Sequence, residues 1–127
     1  MPTNVIFGTT TTGQGNLRMQ ANNQFGTGVV MTFNNANGQW CRFDLAGTNQ
    51  VLKGIVGGST LSTTQVGAVV QNVGQDLLGS NASTLTLNAA TAPEDYYYYG
   101  YLRDRDAGPS ATLQLNVIKN GLGKQTL

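Results

Sequence analysis

Histidine is absent from this sequence of 127 residues, and cysteine occurs once. Without an imidazole, every mechanism that uses one as base, proton shuttle or ligand is excluded: the serine hydrolase triad, cysteine–histidine proteases and imidazole zinc sites. The lone Cys41 rules out an intrachain disulfide, and its place in an apolar row reads as a small core hydrophobe. Charge is also scarce, at 10% of residues against roughly 25% in typical soluble domains. Seven Lys and Arg oppose six Asp and Glu, leaving a formal charge of +1. So little net charge removes the repulsion that keeps copies apart and makes self-association easier. The basic residues Arg18, Arg42, Lys53, Arg103, Arg105, Lys119 and Lys124 are scattered, fewer than a strong non-specific nucleic-acid binder usually carries. No apolar run approaches the roughly 18 residues of a membrane span. Met1-Pro2-Thr3 opens without the basic and apolar regions of a secretory signal.

Asn, Gln, Thr, Ser and Gly fill the place of charge, so a polar but nearly uncharged surface is expected. The length suits a single domain over 1–127, able to bury about two thirds of its unfolded surface without a metal or disulfide. No fixed-period repeat and no Pro-rich linker divides it.

Alternation of apolar and polar residues dominates the patterning. Val29, Met31 and Phe33, then Cys41, Phe43 and Leu45, read as a β-hairpin. A three-residue loop of Ala36, Asn37 and Gly38 pairs Phe33 with Cys41, Met31 with Phe43 and Val29 with Leu45. Val30, Thr32, Trp40, Arg42 and Asp44 then share the other face. Thr112 to Ile118 alternates with Leu113, Leu115 and Val117 inward, and Tyr96 to Leu102 is its expected partner across the Gly108-Pro109 turn. Shorter strands are expected at Asn4 to Phe7, Leu17 to Ala21, Val51 to Val56 and Thr84 to Asn88. One segment differs: Val66, Val69, Val70, Val73, Leu77 and Leu78 recur at helical spacing. Ser62 with Gln65 forms a capping box and Gly79 a C-terminal stop, which predicts a helix over 62–79 despite Gly67 and Gly74 within it.

Carboxylate chemistry finds no paired geometry in the sequence: Glu94 and Asp95 point to opposite sides of a strand, and Asp104 and Asp106 belong to a turn. Asp104-Arg105-Asp106-Ala107-Gly108 begins like a calcium loop but lacks the third acid and the distal Glu, so Asp104 and Asp106 are only a weak metal candidate. No phosphate-binding glycine fingerprint is complete, and no cofactor is implied. The distinctive feature is Tyr96-Tyr97-Tyr98-Tyr99-Gly100-Tyr101. In one strand Tyr97, Tyr99 and Tyr101 share a face and Tyr96 and Tyr98 take the other, open to core packing, a subunit interface or ligand stacking.

These readings predict a mainly antiparallel β-sandwich or barrel, with a jelly roll among its forms, carrying one short helix near 62–79. The expected function is non-enzymatic: a structural protein that self-assembles as a homo-oligomer into a shell, tube or fibre, as viral or phage coat, tail or decoration components do. A virion or extracellular assembly is the favoured setting. The alternative is a lectin-like domain that stacks Trp40 or tyrosines on a glycan. The third is a nucleic-acid-binding assembly with Arg18, Arg42, Arg103 or Arg105 on phosphates.

Overall fold

The six apolar residues that alternate through 29–45 do turn to one side: Val29, Met31, Phe33, Cys41, Phe43 and Leu45 are all buried. Their strands, however, are not partners. The computed structural model describes residues 3–8, 15–34, 40–58, 67–73, 81–104 and 113–127. Among them are twelve strands and no helix, and every strand pairing is parallel.

Three ladders account for the architecture. On the first face β1 (Asn4–Phe7), β3 (Val30–Phe33) and β6 (Gly54–Gly57) pair side by side, and a parallel bridge from Gly57 to Tyr98 continues to β9 (Asp95–Tyr97) and β12 (Lys124–Thr126). The second face is β2 (Gly15–Arg18), β4 (Cys41–Asp44), β7 (Ala68–Gln71) and β10 (Tyr101–Arg103). The third is β5 (Asn49–Leu52), β8 (Ser83–Asn88) and β11 (Leu115–Asn120). The chain visits first, second and third face in turn, then repeats one rung further on. This is a three-faced parallel β-solenoid, whose stability comes from each rung burying the face of the next.

The expected antiparallel sandwich or barrel is therefore overturned, and the hairpin with it. Phe33 lies beside Phe7 and Gly57, while Cys41 lies beside Gly15 and Ala68. Inward-outward alternation is the same for parallel and antiparallel strands, so the faces were legible while the partners were not. The helix over 62–79 is overturned by β7, where Ala68, Val69, Val70 and Gln71 are all buried. A strand covered on both sides carries apolar residues at consecutive positions, which resembles a helical stripe. The capping residues Ser62 and Gln65, Gly79, and the loop residues Ala36, Asn37 and Gly38 lie outside the described residues. Tyr96 to Leu102 is not the partner of Leu115 to Asn120, which pairs with β8. It divides into β9, a corner and β10.

Inside, Met31, Ile55, Phe43, Val70, Leu85 and Leu87 stack from rung to rung. Between rungs, buried amides satisfy backbone groups that no strand reaches. Gln50 accepts from the Phe25 N–H and donates to the Phe25 carbonyl, where the first rung has no strand on the third face. Asn72 Oδ1 accepts from the Gly47 N–H at 2.8 Å and from Ser83 Oγ, and its Nδ2 donates to the carbonyls of Asn81 and Gln114. Asn22, Asn23 and Asn49 likewise accept from backbone N–H groups one rung on. Much of the amide-rich composition thus holds corners together.

Candidate functional site

On the second face, outward positions alternate with the core row Leu17, Phe43, Val70 and Leu102. The register sets Asn16, Arg42, Val69 and Tyr101 in one outer row and Arg18, Asp44, Gln71 and Arg103 in the next. Three of the four arginines considered for phosphate contact thus share a face. Their charges are engaged there. Arg18 Nε donates to Asp44 Oδ2 at 2.9 Å, and Arg103 donates through Nε and a terminal nitrogen to Gln71 Oε1. Arg42 stacks on Trp40, its guanidinium carbon 3.6 Å from the ring centroid. Asp44 is buried, and its Oδ1 also accepts from the N–H groups of Ala46 and Val73. Trp40 is half-buried and carries the Arg42 guanidinium over its ring as a cation–π contact. Arg105 and Asp106 lie outside the described residues. Asp104 Oδ1 accepts from the Leu115 N–H, a structural bond across the corner between β10 and β11.

The tyrosine run separates into three environments. Tyr98 is in the core, its ring 5.1 Å from that of Phe33 and its hydroxyl donating to the Tyr101 carbonyl. Burial pushes its phenol far above the usual range, so it stays neutral. Tyr96 is half-buried over Gly54, where a Cβ would run into its ring. Tyr97 and Tyr99 are exposed, at 41% and 54%, and stand nearly parallel with centroids 6.5 Å apart. Tyr101 is half-buried on the second face.

Around the exposed pair the solenoid adds groups that the sequence scattered. Tyr97 donates its hydroxyl to Asp95 Oδ2 at 2.8 Å. Lys124, brought alongside by pairing of β12 with β9, sits 5.4 Å from the Tyr97 ring centroid and 3.8 Å from Asp95. Asp95 shares the face of Tyr97 two residues on, whereas Lys124 is joined to them only by the rung register. Aromatic rings, a carboxylate and an ammonium on one surface can stack on a sugar or another flat group and hydrogen-bond its rim.

Cys41 is fully buried, and burial raises its thiol above the ordinary range. It has the character of a core residue, as its spacing implied.

The remaining candidate surface is the pair of solenoid ends. Six half-buried apolar residues flank the core: Val5, Leu17 and Phe25 on the first rung, and Leu102, Leu115 and Val117 on the fourth. Each end presents one on the second face and at least one on the third. An open depression of about 500 Å³ beside Phe25, walled by Asn23, Thr27 and Val29, marks the first rung's missing strand. Among the described residues, β1, β2 and β5 toward one end and β10, β11 and β12 at the other have a strand on one side only, β5 facing the segment 20–25. No single residue pattern announced these positions, since membership of an end depends on rung order.

Comparison of the chain with protein-family models, with curated proteins and with solved structures found no match.

Proposed function

We propose that this chain is a non-enzymatic structural protein that assembles end to end into a fibre or tube. The observation that carries the reading is that the half-buried apolar side chains packed against the core lie on the first and fourth rungs, beside open parallel β edges. An open edge with apolar residues behind it is a template for another strand. Stacking a second copy buries those residues and satisfies the edge amides together, and a formal charge of +1 offers little opposition. A linear stack favours a fibre over a closed shell, and a virion or extracellular fibre remains the favoured setting. One residue tempers the last rung. Lys119 continues the inward row of Leu52 and Leu87, and its ammonium turns onto the carbonyls of Asn120 and Gly121. Size-exclusion chromatography with light scattering, followed by negative-stain microscopy, tests the reading. Elongated particles that grow with concentration support it; a monomer throughout the micromolar range removes it.

A second reading is favoured by the Tyr97 and Tyr99 pair with Asp95 and Lys124: recognition of a glycan by stacking. It predicts hits on a glycan array that vanish in Tyr97→Ala/Tyr99→Ala and persist in Trp40→Ala. An array without hits counts against it.

A further inference from the structure

We infer that successive copies in this fibre are rotated by one third of a turn, so that β1 of each copy pairs in parallel with β10 of the one before. The inference rests on the proposed end-to-end assembly and adds its symmetry. It follows from counting positions along the solenoid. Twelve strands, with the segment 20–25 standing in for the absent strand on the third face of the first rung, make thirteen positions over three faces. Among the described residues the solenoid thus runs from β1 on the first face to β12 on the same face, a span of four turns and one third.

Each end is in consequence a spiral step rather than a flat surface. At the leading end the step lies before β1; at the trailing end it lies after β12, where β10 is the next open edge. Stacking face on same face would bring β1 and β12 into one position. Either the two strands collide there or a whole rung is left empty on the other two faces, exposing edge amides and core. Rotation by one third of a turn removes the conflict. β1 then lies on β10 with Val5 against Leu102, and β2 lies on β11 with Leu17 against Val117. Inward meets inward in both. The opposite rotation sets β1 on β11 and leaves the β10 edge of the same rung uncovered.

Cysteine pairs distinguish the three rotations, because side chains at matched positions on neighbouring parallel strands stand about 5 Å apart, near disulfide reach. Ile6 points outward and is 66% exposed. With Val5 over Leu102, Ile6 faces Arg103; with same-face stacking it faces Thr126; with the opposite rotation it faces Ile118. Three double variants, Ile6→Cys with Arg103→Cys, Thr126→Cys or Ile118→Cys, are oxidised under mild conditions and run on non-reducing gels. A ladder of covalent oligomers is expected from the Arg103→Cys pair alone, with buried Cys41 taking no part. Ladders from the Thr126→Cys or Ile118→Cys pair instead would overturn the rotation while leaving the fibre standing. Cryo-microscopy of unmodified filaments gives a second reading that needs no variant. The expected helical symmetry is a rotation near 120° with a rise of about 21 Å, from four and one third rungs at about 4.8 Å each. Filaments with near-zero rotation, or unmodified protein that stays monomeric, would contradict the inference, the latter removing the fibre as well.

Discussion

At the scale of single residues, the buried amides are the feature with the largest expected energetic consequence. Asn72 fills two donor and two acceptor roles among groups from three segments. Removing it leaves several buried polar groups without partners, at about 1 to 3 kcal/mol for each that water cannot reach. Asn72→Ala should therefore lower stability by about 3 kcal/mol in urea denaturation. Asn72→Asp keeps the acceptors, loses the Nδ2 donors and should also be destabilising. A second residue-scale expectation concerns pH. Lys53 donates to Glu94 and holds its carboxyl below the usual carboxylate range, while Glu94 raises Lys53 in return. The folded Glu94 thus has a lower pKa than the unfolded one, near 4.3. Its contribution is complete above the unfolded value and is lost as pH falls through the folded one. Glu94→Gln should flatten the acid side of a melting-temperature profile and leave less difference between neutral and acid pH. An unchanged acid limb would show that the pair contributes nothing to folding.

The tyrosine run shows how an element divides the work of adjacent residues. Tyr98→Ala should cost about 3 to 5 kcal/mol, as other large aromatic deletions from cores do, and Tyr98→Phe about 1 kcal/mol for the lost hydroxyl bond. Tyr97→Ala and Tyr99→Ala should leave melting temperature nearly unchanged, because both rings are exposed. Equal destabilisation by all three would contradict the assignment of Tyr98 alone to the core. In the sequence, alternation over 29–45 and 112–118 gave the inward rows because side-chain parity does not depend on strand direction. The same independence hid the partners. Parallel neighbours come from the next rung, and the intervals from Asn4 to Val30, Val30 to Gly54, Gly57 to Tyr98 and Asp95 to Lys124 all differ, so no repeat signalled the solenoid. The candidate site was visible as far as Tyr97 and Tyr99 on one face. Asp95 shares that face by alternation, but Lys124 one rung on was not visible, and the Arg42 guanidinium over Trp40 is a contact that spacing does not encode.

For the whole molecule, an uninterrupted stack of apolar side chains ends at two partly covered rungs. If those rungs meet in a fibre, a charge placed in the first should oppose assembly. Val5→Asp should shift association to higher concentration while preserving the far-ultraviolet β signature of the monomer. Lys119→Leu should act oppositely, by completing the inward row that Leu52 and Leu87 begin. Sedimentation velocity compares both with the unsubstituted protein, and a response of either variant in the reverse direction would count against stacking through these rungs. The most direct measurement is the light-scattering mass of the unsubstituted protein over a series of concentrations. End-to-end stacking predicts a mean mass that climbs steadily above the 13.4 kDa of one chain, with no preferred closed oligomer. A mass fixed at one chain, or at one small closed oligomer, would contradict it.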